Sequence, residues 1–369
     1  EVGCGVHLSA DGGVGDENPL DGLAGIDLLD HCRFLFDLPD DALADRANLA
    51  LHLAQGDHVI RPIEDEIDLH ARQLFPRRPE PCSGFILDPL ESQQGGDALR
   101  MLEIANQPDI PVFVGANMPL VHEKSEFAER RYGNWHSDAP PPEPPGGFAA
   151  KTPEQESAVS FIVRTVMSQP GEVTIVAIGP LTNIAQAIRA DANFAGNVKR
   201  LVIMGGAIAS LPDGGGNMTP NAEFNFWVDP EAAYATLRSG IPIELSPLNV
   251  SRKSALTKDW YDKLVAVDNP LTALLKETIG PRFEREPERS WLMYDQIAVA
   301  SIIDPSLVTS ERLYVDVDIN HGINHGVSVG GREAWPGAEG ASLMNVQYDL
   351  DWPGFMEMFI ERVQRPVPE

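Results

Sequence analysis

The 369-residue chain predicts an α/β protein built on an open, mainly parallel sheet with helices on both faces. Three observations carry that reading. Short, almost wholly apolar runs recur along the last three quarters of the chain, too continuous for strands with one wet face. Stretches of helical period separate them, and Gly or Pro punctuates the ends of the runs. Alternation of this kind implies parallel strands joined by crossover helices, with ligands received at the strand C-terminal ends.

The elements follow in order from Ala98. An amphipathic helix carries Leu99, Leu102, Ile104 and Ala105 on its apolar side, and the strand Pro111-Val-Phe-Val-Gly comes next. A Pro-rich loop, 139–147, reads as an exposed linker, with a lid as the alternative; a helix over 154–168 and the strand Val173-Thr-Ile-Val-Ala-Ile then follow. Gly179-Pro-Leu-Thr-Asn opens another helix, with Thr182 or Asn183 as its N-cap. Arg200-Leu-Val-Ile-Met is a strand that runs into Gly205-Gly206, either a close backbone approach to a ligand or a tight turn. Asp229-Pro230-Glu231 starts a helix with Pro in its first turn, and Ile241-Pro-Ile-Glu-Leu is a further strand. The loops after Ile178, Met204 and Leu245, and the one before Asp229, are therefore where chemistry belongs.

Residues 1–97 are of another character, which divides the chain into an atypical segment, 1–97, and an α/β domain, 98–369. Leu43, Ala47, Leu51 and Ala54 share a face of a possible helix over 40–55, and 60–69 is a mixed acidic stretch. Gly-rich and Pro/Arg-rich pieces surround them.

Composition narrows the function classes. A chain that is 43% hydrophobic and 22% charged has a globular balance, and no apolar run is long enough to span a bilayer. The opening residues show neither a basic n-region nor an apolar core, so no signal peptide is expected. With 28 Lys and Arg against 55 Asp and Glu, the net charge of −27 repels phosphate backbones and anionic lipid, so neither a nucleic-acid polymer nor a membrane is expected as a partner. Cys4, Cys32 and Cys82 are too scattered for a disulfide framework or a zinc site and fit a reducing, cytoplasmic compartment.

Several residues could carry chemistry. Asn217, Glu223 and Asn225 lie in one loop ahead of the Asp229 helix; Glu223 and Asn225, two apart, point the same way if the segment is extended. A carboxylate with amides suits a polyol, since each hydroxyl both donates and accepts; an Asx-rich helix-capping loop fits the same spacing. Asp295, after Tyr294, heads an apolar helix, where it is placed either to cap or to ligate a cation. His136, near Asp138, fits a surface histidine, an acid or a ligand. His321 and His325 are four apart, but Gly322 and Gly326 argue against a helical two-His metal face.

Taken in order and at their spacings, these segments resemble the inosine-uridine nucleoside hydrolase family. The matching text is Pro111-Val-Phe-Val-Gly-Ala, Ala177-Ile-Gly-Pro-Leu-Thr-Asn-Ile-Ala, Val202-Ile-Met-Gly-Gly-Ala, Asn217 with Ala222-Glu-Phe-Asn-Phe-Trp-Val-Asp-Pro-Glu-Ala-Ala, and Tyr294-Asp-Gln-Ile-Ala-Val-Ala with Ile303-Asp-Pro. The resemblance implies a Rossmann-like sheet, hydrolysis of the N-glycosidic bond of a small-molecule ribonucleoside to free base and ribose, one Ca²⁺, and a homo-oligomer, dimer or tetramer. It implies that Asn217, Glu223 and Asn225 hold the ribose hydroxyls, that Met204 lines the pocket, and that Asp295 and the Ile178 carbonyl ligate the cation. Phe226, Trp291 and Tyr294 become aromatic candidates beside the base. Tyr294 stands where many relatives of the family have a His that acts as general acid.

The family's N-terminal signature, Asp-x-Asp-Pro-Gly-x-Asp-Asp-Ala, has no intact copy here. The nearest text is Phe34-Leu-Phe-Asp37-Leu-Pro39-Asp40-Asp41-Ala-Leu-Ala, with a weaker fragment at Gly25-Ile-Asp27. On this partial match Asp37 is the candidate catalytic base, Asp40 a substrate contact and Asp41 a metal ligand. Three accounts fit the departure: a rearranged acid cluster, a foreign N-terminal stretch from a shifted frame or a fusion, or a catalytically impaired relative that binds a nucleoside or pentoside without cleaving it.

Overall fold

The computed structural model describes residues 57–60, 84–87, 95–116, 118–121 and 146–367, with side chains from Ala98 onward. Asp37, Asp40, Asp41, the possible helix over 40–55, and His136 with Asp138 lie outside the described residues.

In chain order the elements are β1 (Asp57–Ile60), β2 (Gly84–Leu87), α1 (Gly95–Ile104), β3 (Val112–Val114), β4 (Glu154–Ser157), α2 (Ala158–Ser168), β5 (Thr174–Ala177), α3 (Thr182–Ala190), α4 (Phe194–Asn197) and β6 (Arg200–Met204). The run continues with α5 (Phe224–Val228), α6 (Pro230–Leu237), β7 (Ile243–Ser246), α7 (Leu248–Ser251), α8 (Lys258–Leu264), α9 (Pro270–Thr278), α10 (Gly280–Arg285) and α11 (Asp295–Ile303). A short 3-10 turn, β8 (Val308–Val317), β9 (Ser328–Gly331), β10 (Ser342–Leu350) and α12 (Trp352–Val363) complete it.

The strands form one ten-stranded sheet in the order β4-β3-β2-β1-β5-β6-β7-β10-β8-β9. β2, β3 and β4 pair parallel, as do β5, β6, β7 and β10. β1 joins the two groups antiparallel to both neighbours, and β8 and β9 add an antiparallel edge. This is the mixed, mainly parallel α/β architecture that the apolar runs predict.

Those runs are apolar throughout because both faces of each strand are dry. Along β5 and β6, Val176, Val202 and Met204 enter the core packed with α1, α11 and α12. Their neighbours Ile175, Ala177, Leu201 and Ile203 enter the opposite core, shared with α2, α3 and α6. Alternate Cβ atoms point to opposite sides of a strand, so one short segment serves two cores.

Two expected boundaries are corrected. The helix expected over 154–168 begins only at Ala158, because Glu154–Ser157 pairs with β3 as an edge strand and the Ser157 hydroxyl caps the helix by accepting from Ser160 N. Neither Thr182 nor Asn183 is an N-cap: both lie inside α3, after Leu181. Thr182 Oγ1 instead donates to Asp229 at 2.6 Å, and Asn183 Oδ1 accepts from Ala116 N at 2.7 Å. Tertiary partners have claimed side chains that local spacing assigns to the helix end.

Candidate active site

The loops flagged after β5, β6 and β7 meet at one end of the sheet. Gly205 N donates to Ser246 O at 3.3 Å and Leu248 N to Gly206 O at 2.9 Å, which stitches the end of β6 to the end of β7. Gly206 has φ +76, and a Cβ on Gly205 would stand 2.6 Å from the Phe226 ring. The backbone turns sharply at this pair, and the close approach it makes is to α5.

Asn225 ties α5 to this edge. Its Nδ2 donates to the carbonyl oxygens of Ile178, at 3.1 Å, and Met204, at 3.0 Å, with Met204 Sδ at 3.5 Å. Two carbonyls fix which end of the amide faces the strands, so Oδ1 is the atom turned the other way. The price of burying the amide is offset by these bonds.

Glu223 is the N-cap of α5 and is 2% exposed. Its carboxylate accepts from Gly206 N at 2.9 Å, Asn225 N at 2.9 Å and Phe226 N at 3.2 Å. Burial pushes its pKa up to about 7; the three backbone donors oppose that rise, and the neighbouring Asp295 carboxylate adds to it. Glu223 and Asn225 are thus brought together by a cap and a first helical turn, not by the pleat of an extended segment, which corrects the expected geometry.

Asn217 is exposed, and its Oδ1 accepts from Phe224 N at 2.9 Å, at the start of α5 rather than of the helix at Asp229. Asp229 is likewise structural. It caps α6 through Ala232 N and receives Thr182 Oγ1 and Leu120 N, while burial holds its pKa above the usual carboxylate range.

Asp295 is the first residue of α11 rather than its cap, which is Tyr294, and it is 5% exposed. Tyr294 is largely buried; its phenol pKa is raised by burial, with Arg252 opposing and Asp295 and Glu223 reinforcing the rise. Glu223, Tyr294 and Asp295 therefore share one electrostatic neighbourhood. Met204 is buried at the end of β6, and Phe226 and Trp291 belong to the two cores.

Oxygen donors suited to a hard cation are present in Asp295 and in the carbonyl of Ile178. Among the described residues, no group of three or more His, Cys, Asp or Glu is arranged to hold a metal ion. The register of β1 sets Asp57 opposite Ala177, one position from Ile178, at this same edge of the sheet.

Sequence reasoning missed the residues that hold the loop between β6 and α5. Asn249 is fully buried and grips Ile208 through both its Oδ1 (from N, 2.9 Å) and Nδ2 (to O, 3.0 Å), and Pro212 O at 2.7 Å. Arg252 donates to the carbonyls of Asp213, Gly215 and Gly216. The only available signal was their position in the loop after Leu245; neither falls on a periodic pattern.

The chain is similar to known proteins over most of its length. A family model described as inosine-uridine preferring nucleoside hydrolase matches residues 92–357. A pyrimidine-specific ribonucleoside hydrolase RihA of Salmonella paratyphi A is 32% identical over 73% of this chain and 84% of its own length. RihA of Escherichia coli matches to the same extent, 32% identity over 73% and 84%. Among solved structures, a plant nucleoside hydrolase has a TM-score of 0.61 at 25% identity, covering 78% of this chain and 100% of that one. A purine-preferring ribonucleoside hydrolase from Gardnerella vaginalis also reaches 0.61 at 25% identity, over 76% and 88%.

Proposed function

Since the chain belongs to the inosine-uridine preferring nucleoside hydrolase family, we propose that it cleaves the N-glycosidic bond of ribonucleosides at the crevice beyond β5, β6 and β7. One observation carries this placement. Two buried carboxylates, Glu223 and Asp295, stand in electrostatic contact at the strand C-terminal ends, with the Asn225 amide pinned between the ends of β5 and β6.

The ribosyl group is the part of the substrate these residues suit. Glu223 and Asn225 Oδ1 offer acceptors to vicinal hydroxyls, and Met204 gives the pocket an apolar floor. Oxygen-rich surroundings favour the positive charge that develops on the ring as the base departs, and burial strengthens that interaction. Asn217, whose Oδ1 accepts from Phe224 N in the same loop, is our third assignment to the ribose hydroxyls. Tyr294 supplies an aromatic wall and a phenolic donor for the base side.

We assign a hard cation, Ca²⁺, to Asp295 and the Ile178 carbonyl. When bound, it acidifies a coordinated water. Such a cation takes at least six oxygen ligands, more than these two residues provide. Asp41, with Asp37 as general base and Asp40 as a ribose contact, is our assignment for the acids that complete the site. They lie outside the described residues, within the segment 1–97.

The relatives are named for both pyrimidine and purine ribonucleosides, so the ribosyl group is what their substrates have in common. A second reading, a relative that binds a ribonucleoside without cleaving it, is favoured by one observation: the chain carries no intact copy of the Asp-x-Asp-Pro-Gly-x-Asp-Asp-Ala signature.

Ribose release from inosine, uridine, adenosine and cytidine, with and without a chelator, separates the two. Chelator-sensitive release that Asp295→Ala abolishes supports the hydrolase with its cation. Binding without release supports the second reading. Sedimentation of the same protein tests the dimer or tetramer, which the family resemblance suggests for a cytoplasmic enzyme.

A further inference from the structure

We propose that His325 is a positioning residue of the ribosyl site, acting through α5. This inference rests on the assignment of Glu223 and Asn225 to the ribose.

The connection from β8 to β9 doubles back as a strap against the loop that carries those two residues. Val327 pairs with Ala222 in an isolated β-bridge, immediately before Glu223. Ser328 Oγ accepts from Ala207 N at 2.8 Å and donates to Ala207 O at 3.1 Å, so the strap also holds the backbone next to Gly206, a donor to Glu223. Between these anchors, Gly326 has φ +72, and a Cβ there would lie 2.5 Å from Trp227 Cα. Only glycine allows the strap to lie that close to the helix.

α5 is a single short turn, and such a turn leaves carbonyls at its end without helical partners. His325 supplies a partner for one: its Nε2 lies 3.0 Å from the carbonyl oxygen of Trp227. A carbonyl can only accept, so Nε2 carries the hydrogen and donates it. The same ring meets the Trp227 indole edge-on at 5.9 Å. His321, whose ring lies 4.7 Å from that of His325, fixes the strap to the next helix through Glu231 at 2.9 Å.

The consequence is a helix held from both ends. Glu223 and Asn225 bind the strand ends on the inner side, and His325 holds the last turn from the outer side. Without the outer bond α5 loses its restraint on that side, and the ribose-binding arrangement becomes one of several. A substrate then sees only the competent fraction, which raises KM in inverse proportion while leaving turnover of the bound enzyme largely intact.

The test compares the natural chain with His325→Leu and His325→Gln, reading steady-state kinetics and amide hydrogen exchange across 223–228. Leucine keeps the bulk and removes the donor; the Nε2 of glutamine can reach the same carbonyl. For His325→Leu we expect exchange in 223–228 faster by about tenfold or more, and KM raised with kcat changed much less. His325→Gln should restore both. If His325→Leu does not fold, His325→Asn, whose amide falls short of the carbonyl, takes its place with the same expectation. Unchanged exchange in the folded donor-less variant overturns the proposal whatever the kinetics, as does a Gln variant no better than Leu. If the natural chain releases no ribose from any nucleoside, the functional reading has failed instead, and the exchange data still decide whether the strap positions α5.

Discussion

Glu223 is a carboxylate whose three backbone donors do not offset the loss of water, and that imbalance has a pH signature. Its folded pKa is raised to about 7 from 4.5, chiefly by burial, so between those values the folded chain holds a proton that the unfolded chain has released. The stabilisation is complete below the unfolded value and is lost as pH rises through about 7. In chelator-treated protein, urea unfolding should therefore show stability falling between about pH 5 and pH 8, by an amount of the order of 3 kcal/mol. Glu223→Gln should flatten that slope; an unchanged slope would place the titrating group elsewhere. Gly205→Ala tests the close approach at the same crevice. The added methyl would meet the fully buried Phe226 ring at 2.6 Å, so we expect a loss of about 1–3 kcal/mol in thermal or denaturant unfolding, and a higher KM as α5 is pushed from the strand ends.

At the scale of elements, the short helix α7 does more than connect β7 to α8. Asn249 on it satisfies both polar backbone groups of Ile208 and the carbonyl of Pro212, all within the loop that leads to Glu223 and Asn225. Asn249→Ala would leave these buried groups unpaired, at about 3 kcal/mol, measurable by denaturant unfolding. Asn249→Asp is predicted to be no better. It keeps an acceptor for Ile208 N but turns a carboxylate toward two carbonyl oxygens. The sequence shows α11 as an apolar helix headed by an acid, and β6 down to its end residues, because burial on all sides dictates composition. It does not show α5, since five residues are too few for a periodic signal, nor the edge strand Glu154–Ser157, whose polar residues read as a helix start.

For the molecule as a whole, the sheet divides two cores, the candidate site lies at the C-terminal ends of β5, β6 and β7, and the sheet holds two groups of parallel strands. β1 runs antiparallel between them and enters from the segment before residue 98. If acids from that segment complete the cation site, Ca²⁺ should stabilise the full chain. At a concentration about 100-fold above its Kd, the gain is about 2.7 kcal/mol, read as a rise in Tm that Asp295→Ala removes. A Tm indifferent to Ca²⁺ would sink the cation assignment while leaving the fold intact.

The sequence by itself determined the α/β class, the strand runs from Pro111 onward, and the loops that gather at one end of the sheet. Apolar strands buried on both faces and Gly/Pro punctuation are local consequences of a two-sided core, so they are written locally. Its resemblance to a known family also marked Glu223, Asn225 and Asp295, which their spacing alone left open between capping and a site. Only the tertiary structure decided that Asn225 spends its amide nitrogen on Ile178 and Met204, that Thr182 answers Asp229 rather than its own helix, and that Asn249, Arg252 and His325 brace the site. Those roles depend on partners 21 to 98 positions away in the chain. A hydrogen bond is chosen by what lies within about 3 Å of an atom, and distance along the sequence carries no record of that.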